Sequence, residues 1–217
     1  MRRLLAVALL ATVVCAGVAR ADHQDPQERL TSTDNARARA VLIRQADLPR
    51  GFRAQPASAT NPHVSCPRSV SEADLTLTGE AEGKRFALGI TSVASSAKVY
   101  VSRGDARASW RRATSAAGVG CARTVLQREL GRQGIRVLSL RRIAFPRVSE
   151  RTVAYRVHLS AGTPQGAVAL YLDLVALMHV RAVATVVVGT PLVPPPRADV
   201  LRLARVVAGR MARQLSR

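Results

Sequence analysis

Aromatic residues make up 3% of the 217-residue chain, with one Trp, three Tyr and three Phe. That scarcity removes the stacking platforms on which proteins that grip single-stranded nucleic acid depend. Lysine stands only at Lys84 and Lys98, so the excess of 33 basic over 14 acidic residues, a formal net charge of +19, is almost wholly arginine. The arginines are scattered along the chain, and nucleic acid is not expected as a partner. Three cysteines without a C-x-x-C pair, and a nearest histidine, His63, without a second ligand at useful spacing, argue against a metal centre. G-x-S-x-G, H-E-x-x-H and P-loop patterns are missing too, so no catalytic residue and no cofactor is assigned. The arginine skew has a bland reading, a GC-rich coding sequence, beside a functional one, adhesion to anionic polymers, lipids or acidic partners.

What is present begins with an export signal. Arg2 and Arg3 form a positive start, Leu4 to Val18 an apolar run, and Ala19-Arg20-Ala21 an A-x-A cleavage site before Asp22. An uncleaved anchor is one alternative, and a lipid-modified Cys15 another, the latter disfavoured by Val14 where a small residue is wanted. Removing residues 1–21, which hold three arginines and no acid, takes the net charge from +19 to +16. No second hydrophobic segment reads as a transmembrane helix of the mature chain. Residues 22–32 are polar and read as a flexible tail, and residues 33–217 as one domain. Cys66 and Cys121 remain, an even pair for an oxidising compartment, and are expected to form a disulfide across 55 residues. Two buried thiols are the alternative.

The most apolar stretch, Gly166 to Gly189, organises the rest. Its density of Val, Thr and Tyr favours strands over helix, and Asp173, His179 and Arg181 interrupt any membrane span. It reads as two central strands, Val168 to Leu177 and Arg181 to Val188, turning near Met178 to Val180 and covered on both faces. One long, bent strand is the alternative. Thr33 or Asp34 is expected to cap a helix through Gln45, with Ala36, Ala40, Val41 and Ile43 inward. An extended piece at Phe52 to Gln55 follows. Arg85 to Val93 and Lys98 to Ser102 read as a hairpin turning at Ser95-Ser96. Asp105 opens a helix to Ala117 with Ala106, Trp110, Ala113 and Ala117 inward, Gly118-Val119-Gly120 breaks it, and a second helix runs from Cys121 to Leu130. Ile135 to Ile143 and Thr152 to Ser160 are strands, the second alternating cleanly. Arg197 to Leu215 is amphipathic, with Val200, Leu203, Ala204, Val207, Met211 and Leu215 on one side and arginines on the other.

The strand from Thr152 to Ser160 sends Arg156 and His158 in one direction, which suits an anion-binding pair or a wetted sheet face. Asp173, the acid inside the apolar run, needs a partner such as Arg156 or Arg181. These three are the candidate binding residues.

The segments D-L-P-R-G-F (Asp47 to Phe52), Cys66, L-T-L-T-G (Leu75 to Gly79), V-A-S-S-A-K-V-Y (Val93 to Tyr100), Cys121, A-Y-R-V (Ala154 to Val157) and Y-L-D-L-V (Tyr171 to Val175) together resemble small exported domains of high-GC Gram-positive bacteria. The likeness is to PknH-like extracellular sensor domains and LpqN-type lipoproteins. It implies an antiparallel sheet with helices packed on it and a ligand-binding cleft. The order of elements independently favours α+β: one antiparallel sheet with helices on it and the C-terminal amphipathic helix as its cover. The expected protein is therefore a secreted or envelope-associated monomer, a non-enzymatic binding or sensor-like domain for a small molecule, envelope component or protein. A hydrolase assembled from scattered residues, and an electrostatic adhesin using the last helix, are the alternatives.

Overall fold

The structure, a computed structural model, describes residues 25–55, 66–164 and 166–215. The signal segment with Ala19 and Ala21, and His63, lie outside them. Among the described residues one nine-stranded open sheet runs in the order β1 (Gln27–Glu28), β3 (Thr76–Glu82), β5 (Thr91–Tyr100), β9 (Ala182–Pro191), β8 (Gly166–His179), β7 (Arg151–Thr163), β6 (Ile135–Ile143). β4 (Arg85–Leu88) joins the first part of β5 and carries β2 (Arg53–Gln55). All pairings are antiparallel except β1 with β3.

Helices lie on both faces. α1 (Ser32–Val41) and α4 (Arg197–Leu215) bury Ala38, Val41, Val200, Leu203, Val207 and Met211 against Val93, Val175, Leu177, Ala184, Val186 and Val188. On the other face α2 (Arg103–Thr114) sets Trp110 on Val153 and Met178, and α3 (Ala116–Gly131) sets Leu130 among Val157, Leu159 and Leu172. The central hairpin is thus covered on both sides, as its two apolar faces require. It turns in two residues, Val180-Arg181, with Val180 at φ +49°. Among the described residues no helix is long and apolar enough to cross a membrane.

The strongly periodic elements stand where expected. β6 and α4 have the anticipated bounds, and the six inward residues of α4 are all buried. Other boundaries differ, each for a tertiary reason. α1 is capped by Thr31, whose hydroxyl accepts the Asp34 N–H at 3.1 Å, and it stops at Val41, leaving Ala36 exposed and Ala38 buried. The chain is already paired at Gln27–Glu28, within the stretch whose composition suggests a tail. Ser95-Ser96 is no turn: β5 runs straight through it, and the Ser95 hydroxyl accepts the Ile43 N–H at 2.9 Å. The turn falls instead between β4 and β5, at Gly89 with φ +58°. Ala113 and Ala117 are exposed.

The glycines expected to break the helix lie inside α3, and Ser115 makes the break. Its hydroxyl accepts the Gly118 N–H at 3.0 Å while its own N–H closes α2 on the Arg112 carbonyl. Gly118 is needed for close approach: a Cβ there would meet the Arg112 carbonyl oxygen and lie 2.8 Å from that of Ala113. The Cys66–Cys121 disulfide, with Cα atoms 5.6 Å apart, ties the chain ahead of β3 to α3. Such a crosslink stabilises the fold by roughly 4 kcal/mol in the chain-entropy account.

Two outcomes follow. Gly118→Ala lowers unfolding stability by about 2 kcal/mol, read by urea titration, because the added methyl meets backbone rather than a movable side chain. Asp34 is buried, and its bonds from Arg181, against a smaller opposing effect of burial, hold its carboxyl far below the usual 3.8. A depressed folded pKa means stability that is present above pH ~4 and lost as pH falls below it. Asp34→Asn therefore destabilises at pH 7 by about 3 kcal/mol, leaving Arg181 without its carboxylate, and flattens the acid limb of stability against pH.

Candidate functional site

The three residues singled out in sequence meet on one sheet face. Arg156 and Asp173 are direct cross-strand partners on β7 and β8, joined by two bonds of 2.7 Å, Nε to Oδ1 and Nη2 to Oδ2. In the next row His158 faces Tyr171, their rings stacked with centroids 4.6 Å apart. Asp173 is 2% exposed and its charge is answered by Arg156. This is the ion pair that an acid in an apolar run needs, and the row lies on the α1–α4 face.

The opposite face holds a groove of about 530 Å³ lined by Trp110 and Thr114 of α2, Arg142 of β6, Arg147 and Glu150 of the connecting loop, and Arg151, Thr152 and Val153 of β7. Its floor exists because α2 turns Trp110 inward onto Val153 and Met178. Its wall is a braced loop. The Thr152 hydroxyl accepts the N–H groups of Val148 and Ser149 at 3.1 and 3.2 Å, and the Ser149 hydroxyl donates to the Met178 carbonyl at 2.8 Å. Local hydroxyl-to-backbone bonds of this kind fix a loop without secondary structure.

Glu150 is already engaged. Arg103 Nη2 donates to its Oε2 at 2.9 Å, and His179 Nδ1 lies 3.7 Å from Oε1. Burial pushes the carboxyl up, but the Arg103 bond, the Val180 N–H and the Arg103 charge outweigh it and leave its pKa below the ordinary value. The arginines are different. Arg142, Arg147 and Arg151 are exposed, and among the described residues none has a carboxylate within salt-bridge distance. Arg147 Nε donates to the Ser149 carbonyl at 3.3 Å. Arg142 stands opposite Tyr155, where its charge opposes the upward push of burial on the phenol. Three acid-free guanidinium groups over an indole floor can take a carboxylate, sulfate or phosphate in paired bonds while an apolar or aromatic part rests on Trp110 and Val153.

Sequence reasoning placed Trp110 in the core, where it is, but missed the arginines. The available signal was R-R-I-A-F-P-R-V-S-E-R, Arg141 to Arg151, four arginines in eleven residues around a proline. In a chain so rich in arginine that density does not stand out. Among the described residues no group of His, Cys, Asp and Glu is placed to hold a metal ion.

No family model matches the sequence, and no curated protein matches it. Among solved structures the chain is similar to that of LpqN, described as involved in cell envelope biogenesis of Mycobacterium tuberculosis, with 10% identity and a TM-score of 0.25 over 75% of this chain and 78% of that one. This is a weak structural resemblance.

The pairing of Arg156 with Asp173 is tested by a cycle of variants. Arg156→Met alone destabilises by about 3 kcal/mol because it strands a buried carboxylate, whereas Arg156→Met with Asp173→Leu restores most of that loss. Equilibrium unfolding of these two variants and of Asp173→Leu alone checks it.

Proposed function

We propose that the protein is an exported, non-enzymatic binding domain whose groove takes an anionic ligand with an apolar or aromatic part. The observation that carries this reading is the convergence of Arg142, Arg147 and Arg151, none neutralised by an acid, around the Trp110 and Val153 floor. The carboxylate that lines the groove, Glu150, is held by Arg103 and so does not compete for them. A braced loop favours binding further, since a preformed site loses little freedom when the ligand arrives. Export is supported by the signal-type sequence of residues 1–21 and by the Cys66–Cys121 disulfide, a bond that persists in oxidising compartments. Arg156, His158 and Asp173 belong in this reading to the framework.

Phenyl phosphate is a minimal probe of the groove, carrying one dianion and one ring. Titration by calorimetry shows saturable binding that weakens with added salt, and Arg142→Gln with Arg151→Gln lowers the affinity at least tenfold at unchanged thermal midpoint. Equal affinity in the double variant, or no binding by the native chain of any aryl phosphate, sulfonate or carboxylate, rules the reading out.

A further inference from the structure

Four of the large apolar side chains that stand exposed belong to two turns at one end of the sheet. They are Leu88 and Ile90, 45% and 37% exposed, and Leu192 and Val193, 66% and 65% exposed. The pairing of Ser92 with Gly189 sets the β4–β5 turn beside the segment leaving β9. Neither turn is slack. Leu192 takes φ +64°, a left-handed conformation rare for a branched side chain, and its N–H bonds the Ala169 carbonyl at 2.8 Å. The Thr190 hydroxyl donates to the Val193 carbonyl at 2.6 Å, and three prolines, Pro194 to Pro196, follow. Leu88 rests against Gly51, where a Cβ would lie 3.1 Å from its Cδ1. The backbone thus holds Leu192 and Val193 outward instead of letting them fold back.

Cations surround them. Arg53 pairs with Ala87 beside Leu88, Arg50 precedes Gly51, and Arg197 begins α4 just past the prolines. All three are exposed, and among the described residues none has a carboxylate within salt-bridge distance; Asp199 is the neighbouring acid. We infer that this sheet end docks on the surface of an anionic lipid bilayer, with Leu88, Ile90, Leu192 and Val193 entering the interface and Arg50, Arg53 and Arg197 meeting phosphates. Protruding apolar side chains suit a fluid interface, and a second copy of the chain would set the same cationic rim against itself. The surface is separate from the groove. Val153 of the groove pairs with Ala176 while Leu192 bonds Ala169, seven residues along β8, roughly 23 Å at strand spacing.

The test is cosedimentation with phosphatidylcholine vesicles, with and without one-third phosphatidylglycerol. The native chain binds the anionic vesicles and not the neutral ones. Leu192→Ser with Val193→Ser, and separately Leu88→Ser with Ile90→Ser, each weaken partitioning about tenfold at unchanged thermal midpoint, while Arg142→Gln with Arg151→Gln partitions as the native chain does. Apolar variants that bind as well as the native chain would reduce the effect to diffuse charge attraction and overturn the inference. Failure of the native chain to bind, or a concentration-dependent dimer abolished by the same variants, overturns it equally.

Discussion

One guanidinium ties the turn of the central hairpin to α1, β3 and β5. Arg181, the second residue of the turn between β8 and β9, makes two bonds to the Asp34 carboxylate, at 2.6 and 2.7 Å, and a third to the Tyr100 carbonyl at 3.0 Å. The Thr78 hydroxyl completes the set by donating to Asp34 at 2.6 Å. A two-residue turn with a β-branched Val180 at positive φ is strained, by about 1–3 kcal/mol, and persists only where its surroundings demand it. Here α1, β3 and β5 demand it. The same turn presents His179 and the Val180 N–H to Glu150, so the segment that Arg181 anchors also meets the rim of the groove on the other face.

The distribution of charge has a simple logic. Several acids are answered by arginine, Asp47 by Arg210, Asp74 by Arg112, Glu150 by Arg103 and Asp173 by Arg156, while Glu72 meets Lys98 and Asp105 the Ser102 hydroxyl. Such pairs join distant segments more than they add stability, because desolvation consumes much of the attraction. With acids so few, the remaining guanidinium groups, apart from that of the buried Arg85, are left facing water, and they are not evenly placed. One group crowns the Trp110 floor and another rings the apolar sheet end, so the excess of arginine becomes informative only once the fold sorts paired from unpaired.

The parts of this fold legible in the sequence are those in which one periodicity dominates. α4 repeats its apolar residues at helical spacing over nineteen residues, and β7 alternates from Val153 to Leu159, so their faces could be named outright. What stayed hidden depended on partners far along the chain. β3 contains Gly79, which looks like a loop residue but lies against the Asp34 backbone, where a Cβ would sit 2.5 Å from the carbonyl oxygen. Ser95 looks like a turn residue and instead serves Ile43. The pairing of Arg156 with Asp173 was within reach because both sit in readable strands. The groove was not, because Trp110 and Arg142 come from elements whose contact only topology decides.

Trp110 is the sole tryptophan of the chain, and it lies in the groove floor under three cations. Its indole therefore gives the molecule a single-site optical label at no structural cost. Fluorescence excited at the red edge of indole absorption comes from one address, so quenching or a spectral shift on adding any compound would locate the event at this face of the sheet. The sheet end bearing Leu192 has no such chromophore, and a compound or vesicle engaging only there would leave the emission dark to it.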